Sequence, residues 1–254
     1  MSSRIISLFY YLKRKFEDWV FPLRMFLGLK IFYVEQRKIV RISHNQLIKG
    51  PCTQQELEAM QYAASHTSVC LPRIHRVYDR GGTTFIAMDF IKGKTLDQIW
   101  PTLTEEKKES IVVEIWDNLK QLHTCQPPPS LGHITAASIS GGPVRDGALG
   151  VEDDGPLDIG PFTSDDEFLN ALRESPDLIQ DNLHPNRVGF VYGDLALRNI
   201  VMKNDGHLCF LDWECAGWWP LYWERVKWHF SSFMQPPDFV ELMDKVSAAE
   251  RIET

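Results

Sequence analysis

The sequence contains little cysteine, and none of it forms a recognisable pair. Its 254 residues include five cysteines, scattered along the chain without a C-x-x-C motif. An odd number of isolated cysteines, with no secretory signal ahead of them, argues against a disulfide framework and against a thiolate zinc site. We therefore predict a protein of a reducing compartment, with a cytoplasmic location.

An excess of positive charge is also missing. The chain has 27 Lys and Arg against 34 Asp and Glu, which gives a formal net charge of −7 at pH 7. General nucleic-acid binding needs a basic surface that neutralises phosphates, so this balance excludes nucleic acid as a general partner. With 44% hydrophobic residues, the chain can bury a large core as one domain or as two packed lobes.

The amino-terminal apolar stretch is too short to cross a bilayer. It runs from Ile5 to Leu12, is followed by a basic cluster at Lys13–Lys15, and lacks a cleavage site of the signal-peptide type. Apolar residues recur there at steps of three and four, which predicts an amphipathic helix in an extension over residues 1–30. We favour docking of this helix on the body of the protein, and membrane contact is the less favoured alternative. The apolar stripe consists of Ile5, Leu8, Phe9, Leu12, Phe16 and Trp19.

The remaining chain divides by pattern into a β-rich and a helical part. Strand-like segments and one helix beginning after Thr53 alternate up to residue 91, and helical periodicity dominates from residue 92 onward. Residues 127–161 hold most of the turn-forming residues and predict a long loop. Five of the eight tryptophans lie between Trp213 and Trp228, which favours core packing over an aromatic substrate cage. The sequence therefore predicts an α+β protein.

The residues with the clearest chemical potential lie between positions 188 and 214. Asp194 and Asn199 are five residues apart on a loop between apolar strands, and Asp212 follows a further short strand, Leu208 to Leu211. A hairpin turning at Asn204–Gly206 would return Asp212 to the side of Asn199. Carboxylate and amide oxygens suit Mg²⁺ bound with nucleotide phosphates, while a free carboxylate accepts a hydroxyl proton.

Two segments in this region resemble known motifs. Residues 192–199 read Y-G-D-L-A-L-R-N and residues 211–214 read L-D-W-E. They resemble the H-G-D-x-x-x-x-N and I-D-W-E motifs of the aminoglycoside phosphotransferase family, which are kinase-like enzymes acting on small molecules. Residues 216–224 and 93–101 are similar to further segments of fungal members. The resemblance extends over roughly residues 40 to 228.

The resemblance implies a two-lobed, protein-kinase-like α+β fold, with a small β-rich N-lobe at 31–91 and a larger, mainly helical C-lobe at 92–254. It also implies a phosphotransferase that uses ATP and Mg²⁺ to phosphorylate a hydroxyl of a small molecule. In that assignment Asp194 is the catalytic residue, and Asn199 and Asp212 are the metal ligands. Lys49 would contact the nucleotide phosphates and pair with Glu58, and the connector containing Met88, Phe90 and Ile91 would meet the adenine.

Two departures from the family pattern keep alternatives open. Tyr192 stands where the family has histidine, and no glycine lies between Ile31 and Lys49 to form a glycine-rich phosphate loop. These departures favour, as the alternative, a kinase-like binding or scaffold protein without catalysis. A protein-serine/threonine kinase is a third reading, which is disfavoured because Asp212–Glu214 replaces D-F-G and no A-P-E element follows.

Overall fold

The structure is a computed structural model that describes residues 2–31, 39–152, 155–156, 158–173 and 187–251. The chain divides into two compact units. The smaller unit consists of Met1–Cys52 and Pro72–Ile91, and the larger one consists of Thr53–Leu71 and Lys92–Thr254. The helix that follows Thr53 therefore clusters with the larger unit. The lobe limits predicted from the sequence stay a prediction.

The smaller unit combines one long helix with a four-stranded antiparallel sheet. The elements are α1 (Ser2–Ile31), β1 (Ile39–Arg41), β2 (Gln46–Cys52), β3 (Ile74–Arg80) and β4 (Thr83–Asp89). The strand order is β1-β2-β4-β3, with β1 and β2 joined through the Ser43–Asn45 turn. This pairing confirms the hairpin predicted ahead of Lys49, although residues 32–38 of the predicted strand region lie outside the described residues.

Helix α1 packs on this sheet through a different side from the predicted one. Phe21 is buried and packs against Tyr78 and Phe85, with ring centroids 4.7 and 5.3 Å away in tilted and edge-on arrangements. By contrast, Phe16 and Trp19 of the predicted docking stripe are exposed. The helix thus packs on the sheet, but these two stripe residues do not make the contact, because Phe21 on another side of the helix does.

The larger unit contains most of the helices and several short sheets. The elements are α2 (Gln54–His66), β5 (Gly93–Thr95), α3 (Leu96–Ile99), α4 (Glu105–His123), β6 (Val144–Arg145), β7 (Val151–Glu152), β8 (Gly155–Pro156), β9 (Asp158–Ile159), α5 (Asp165–Arg173), β10 (Val188–Val191), β11 (Ile200–Lys203), β12 (Leu208–Phe210), β13 (Gly217–Pro220), α6 (Trp223–Phe230) and α7 (Pro237–Arg251). Strand β11 pairs with both β12 and β5, and β10 pairs with β13. The predicted α+β class is confirmed.

Tryptophans form much of the core of the larger unit. Trp219 and Trp223 stack with centroids 5.2 Å apart, and Phe168 of α5 packs edge-on against Trp223 at 5.5 Å. The five tryptophans between Trp213 and Trp228 are all fully buried. This confirms core packing, in which large aromatic side chains remove the most apolar surface from water.

The long loop predicted over 127–161 is ordered by short pairings where it is described. Strand β6 pairs with β9, and Ala137 forms a bridge with Trp218 of β13. Asp146 of this loop is completely buried. The loop is thereby attached to the tryptophan core, beside the segment that carries Asp194.

Candidate functional site

The loop after β10 places Asp194 and Asn199 in direct contact. The Nδ2 group of Asn199 donates to Oδ2 of Asp194 at 2.6 Å and to the Asp194 carbonyl at 3.1 Å. Asn199 is buried, and its turn of 3₁₀ helix begins at Leu197. Because the amide nitrogen is used by Asp194, the side-chain oxygen of Asn199 is the atom that could serve as a ligand.

Gly193 lets the chain make this turn. Its φ is +74°, and a Cβ there would lie 2.8 Å from the carbonyl oxygen of Cys215. A side chain would therefore be strained by both backbone conformation and close approach. Glycine at this position permits Asp194 to project from the end of a buried strand.

The charge of Asp194 is set by opposing effects. Burial raises the pKa of the Asp194 carboxyl above its ordinary value, while Arg198 and Lys227 lower it. The Arg198 guanidinium lies 3.5 Å from Oδ1 of Asp194. A carboxylate that is partly desolvated and still lies beside a cation is a suitable acceptor for a hydroxyl proton.

The predicted hairpin returns the chain to Asn199. Residues Ile200 and Phe210 are paired across β11 and β12, and the Leu211 N–H donates to the Asn199 carbonyl at 2.8 Å. Asp212, the next residue, has a φ of +51°, a backbone conformation that costs energy for residues other than glycine and is less unfavourable for Asp and Asn. Strained backbone conformations of this kind are enriched at functional sites.

Tyr192 occupies the place of the family histidine and connects these two segments. Its hydroxyl donates a short hydrogen bond to the carbonyl of Leu211, and its ring is completely buried. Burial, reinforced by the nearby Asp194 and Asp212, raises the pKa of Tyr192 well above its ordinary value. The phenol therefore remains a proton donor, and it supports the backbone directly before Asp212.

Replacement of this tyrosine should have a measurable cost. We expect Tyr192→Phe to lower the free energy of unfolding by about 0.5–1.5 kcal/mol, because the partly buried Leu211 carbonyl loses the hydrogen bond from the phenol. Urea unfolding monitored by tryptophan fluorescence measures this difference. An unchanged midpoint and slope would show that the phenol does not support the Asp212 segment.

A carboxylate not assigned from the sequence joins Asp212. Ligand oxygens of Glu56, Asp212 and Glu214 all lie within 4.8 Å of one another, and Glu56 is buried. Glu58, the predicted helix glutamate, accepts hydrogen bonds from Gln54 Nε2 at 2.9 Å and from the Ser140 N–H at 3.2 Å. Its pairing with Lys49 stays a prediction. The carboxylates that lie beside Asp212 are those of Glu56 and Glu214.

The burial pattern of α2 explains why Glu56 points into the protein. The Thr53–Glu56 pair predicts a capping box, and the Glu56 N–H does donate to the Thr53 hydroxyl at 3.1 Å. Glu56 also shares a helix face with the buried residues Ala59, Met60 and Ala63, at steps of three, four and seven. That spacing was the available signal that Glu56 points inward.

Helix α6 supplies two further buried charges that sequence reasoning did not assign. Glu224 accepts the N–H groups of Tyr192 at 2.9 Å and of Gly193 at 3.1 Å, so it holds the loop before Asp194. One turn later, Lys227 forms a buried ion pair with Asp146 of the long loop. Although burial by itself would lower the pKa of Lys227, Asp146 holds it above its ordinary value. Lys227 is therefore charged at neutral pH.

The other predicted nucleotide contacts lie in the smaller unit. Lys49 is buried on β2, paired with Ile39 and Ile86 in the sheet register. Met88 is buried on β4. Phe90 follows this strand, donates its N–H to the Asn45 carbonyl at 2.9 Å and stacks under the Arg41 guanidinium at 3.8 Å. Ile91 is partly buried. The roles of these four residues stay predictions.

Comparison with known proteins assigns the chain to a family. The model of the phosphotransferase enzyme family matches residues 31–241. No curated protein matches the sequence.

Solved structures share the fold at low sequence identity. A mutant of aminoglycoside 2'-phosphotransferase-IIIa in complex with GDP is 12% identical, with a TM-score of 0.56 over 90% of this chain and 81% of that one. A thermostable mutant of aminoglycoside phosphotransferase APH(4)-Ia is 13% identical, with a TM-score of 0.57 over 84% and 76%. The streptomycin-ATP complex of APH(2")-IIa is 14% identical, with a TM-score of 0.54 over 89% and 81%. The family match and the shared fold confirm the predicted kinase-like architecture, and the chain belongs to the phosphotransferase enzyme family.

Proposed function

We propose that this protein transfers the γ-phosphate of ATP to a hydroxyl group of a small molecule. The observation that carries the proposal is the contact of Asp194 with Asn199, held by the hairpin that returns Asp212 to the same loop. Among the solved structures with this fold, one is a streptomycin-ATP complex of a phosphotransferase, which supports ATP as the donor.

The donor atoms suit a hard divalent cation. Oxygen ligands from Asn199 and Asp212 would hold Mg²⁺, with Glu56 and Glu214 beside Asp212. When bound, Mg²⁺ supplies positive charge that neutralises the nucleotide phosphates during transfer. Lys49 is proposed as the phosphate-contacting lysine, and the connector with Met88, Phe90 and Ile91 as the adenine-contacting segment.

In the proposed reaction, Asp194 orients the acceptor hydroxyl and accepts its proton as the oxygen attacks the γ-phosphorus. The bond between the γ-phosphorus and the bridging oxygen breaks, and ADP leaves with that electron pair. Arg198 and Lys227 favour the carboxylate form of Asp194, opposing the effect of its burial. Glu224 keeps the backbone before Asp194 in place, so the carboxylate is positioned before the acceptor binds.

Nucleotide binding can be tested without knowledge of the acceptor. With Mg²⁺ and ATP at about 100 times Kd, we expect the unfolding midpoint to rise by about 5–10 °C, because ligand binds only the folded state. Asp212→Asn should abolish most of the metal-dependent part of this rise. Asparagine is chosen because it tolerates the positive φ of residue 212.

Asp205→Asn is the matched control, since Asp205 lies exposed at the turn of the same hairpin and pairs with Lys203. It should keep the full rise in the midpoint. If millimolar ATP with Mg²⁺ gives the wild-type protein no rise at all, the proposed function fails in favour of a kinase-like binding protein.

A further inference from the structure

The side of helix α1 that faces away from the sheet is strongly apolar. We call the residues Leu12, Phe16, Trp19, Leu23 and Phe26 the outer face. Their side chains are between 53% and 75% exposed. They follow one another at steps of four, three, four and three residues, so they lie along one side of the helix. In the sequence, the same spacing continues back to Phe9 and Ile5.

The opposite side of α1 is already used. Phe21 lies about 200° around the helix from Trp19, at about 100° per residue, and is buried between Tyr78 and Phe85. The contact is reinforced by an ion pair of Asp18 with Arg76 at 2.8 Å. Turning the outer face toward the sheet would break these contacts. The outer face is therefore directed away from the sheet by the packing of the smaller unit itself.

The charge of α1 differs in sign from that of the whole protein. Residues 1–31 contain six basic and two acidic residues, whereas the full chain has a net charge of −7. Three of the basic residues are consecutive, at Lys13–Lys15, within the stretch that carries Leu12 and Phe16. A basic segment is attracted to a surface of negative charge, such as a membrane with anionic lipids.

The composition of the outer face distinguishes a membrane from a second helix. A coiled-coil seam uses aliphatic residues in a narrow stripe, but Phe16, Trp19 and Phe26 are aromatic. Leu27 is also exposed and widens the apolar face. A broad face of Trp, Phe and Leu combined with basic residues is typical of helices that lie in the plane of a membrane interface.

We propose that α1 binds the protein to an anionic membrane surface, with the outer face inserted at the boundary between headgroups and acyl chains. Within the part of the chain that the structure describes, no helix is long and apolar enough to cross a bilayer. The outer face shares no residue with the proposed phosphotransfer site, and the proposal does not depend on that activity.

The test uses the full chain and vesicles of phosphatidylcholine and phosphatidylserine in about a 3:1 ratio, with pure phosphatidylcholine vesicles for comparison. We expect co-sedimentation with the anionic vesicles and at least about tenfold weaker binding to the neutral ones, decreasing at high salt. Among the tryptophans of the described residues, Trp19 is the exposed one. Its emission should shift to shorter wavelength when vesicles are added.

Two variants and one matched control make the test specific. The double variant Phe16→Glu with Trp19→Glu should weaken binding to anionic vesicles by at least about tenfold. Phe233→Glu changes an equally exposed aromatic residue of the larger unit, 80% exposed, and should bind as the wild type does. Trp19→Phe should bind anionic vesicles as the wild type does, but its emission should not shift when vesicles are added. This variant therefore tests whether residue 19 contacts lipid even if the double variant folds poorly.

Several results would overturn the proposal. One is that the wild-type protein does not bind anionic vesicles. Another is that a correctly folded double variant binds them as tightly as the wild type does. An emission shift that persists in Trp19→Phe would place another tryptophan at the lipid. A concentration-dependent dimer in sedimentation velocity, abolished by the double variant and without vesicle binding, would assign the outer face to a second copy of the chain.

Discussion

Asp194→Asn is expected to lower the rate of phosphoryl transfer by about 10² to 10⁴, the range associated with a positioned general base. The substitution removes the negative charge and the proton-accepting carboxylate but keeps an oxygen for the Asn199 amide, which donates to Oδ2 of Asp194 at 2.6 Å. The loop should therefore keep its conformation. The rise in unfolding midpoint with ATP and Mg²⁺ should remain, because Asp194 is not proposed as a metal ligand.

The measurement is release of ADP, first with water as acceptor and then across a panel of hydroxylated small molecules. Asp205→Asn again provides the matched control, since it removes one exposed carboxylate close by in sequence. A rate in Asp194→Asn equal to that of the wild type would exclude Asp194 as the proton acceptor. Loss of nucleotide stabilisation together with activity would instead show that Asp194 is needed for binding.

Breaking the buried ion pair between Asp146 and Lys227 is expected to cause the largest loss of stability. We predict that Lys227→Met lowers the free energy of unfolding by about 3–5 kcal/mol, because Asp146 is then left as an uncompensated buried charge. Asp146 also accepts hydrogen bonds from Trp223 Nε1 at 2.9 Å and from the Ala148 N–H at 2.8 Å. These two neutral donors cannot replace the positive charge.

A double variant separates the loss of the pair from the burial of a lone charge. Asp146→Asn combined with Lys227→Met should be more stable than Lys227→Met alone, since neither charge remains. Urea unfolding of the wild type, of Lys227→Met, of Asp146→Asn and of the double variant gives the coupling free energy directly. Equal stabilities of the wild type and Lys227→Met would contradict the prediction. The exposed pair of Lys245 with Glu109 is the control, and its removal should change stability by less than about 1 kcal/mol.

Much of the fold and part of the site could be predicted because the signals are local. The hairpin that returns the chain to Asn199 follows from two apolar strands and a turn at Asn204–Gly206, and the structure pairs Ile200 with Phe210. The Thr53 cap and the burial of the tryptophans could also be predicted, since capping and the clustering of aromatic residues depend on neighbours in the sequence. The roles assigned to Asp194, Asn199 and Asp212 rest on motif spacing and stay predictions for the experiments above.

The contacts of two nearby glutamates could not be predicted from the local sequence. Glu56 and Glu58 lie in the same turn of α2, and each can be read as a solvated or capping residue. Their roles are separated by what each face meets, since Glu56 lies with Asp212 and Glu58 bonds to Ser140. The spacing of buried residues along α2 indicates that Glu56 points inward, but it does not identify the partner of either glutamate, since Ser140 is 82 residues away from Glu58 in the sequence.

For this protein, the amino-acid sequence was enough to identify the family, the α+β class, the motif at residues 192–199 and the amphipathic pattern of residues 1–30. The folded structure was needed to show which face of α1 meets the sheet and which carboxylates lie beside Asp212. It also decided that Lys227 is paired with Asp146, 81 residues away. The physical reason is that periodicity, turns and caps arise from interactions within a few residues. Burial of a charge or an apolar face depends on partners that only the folded chain brings together.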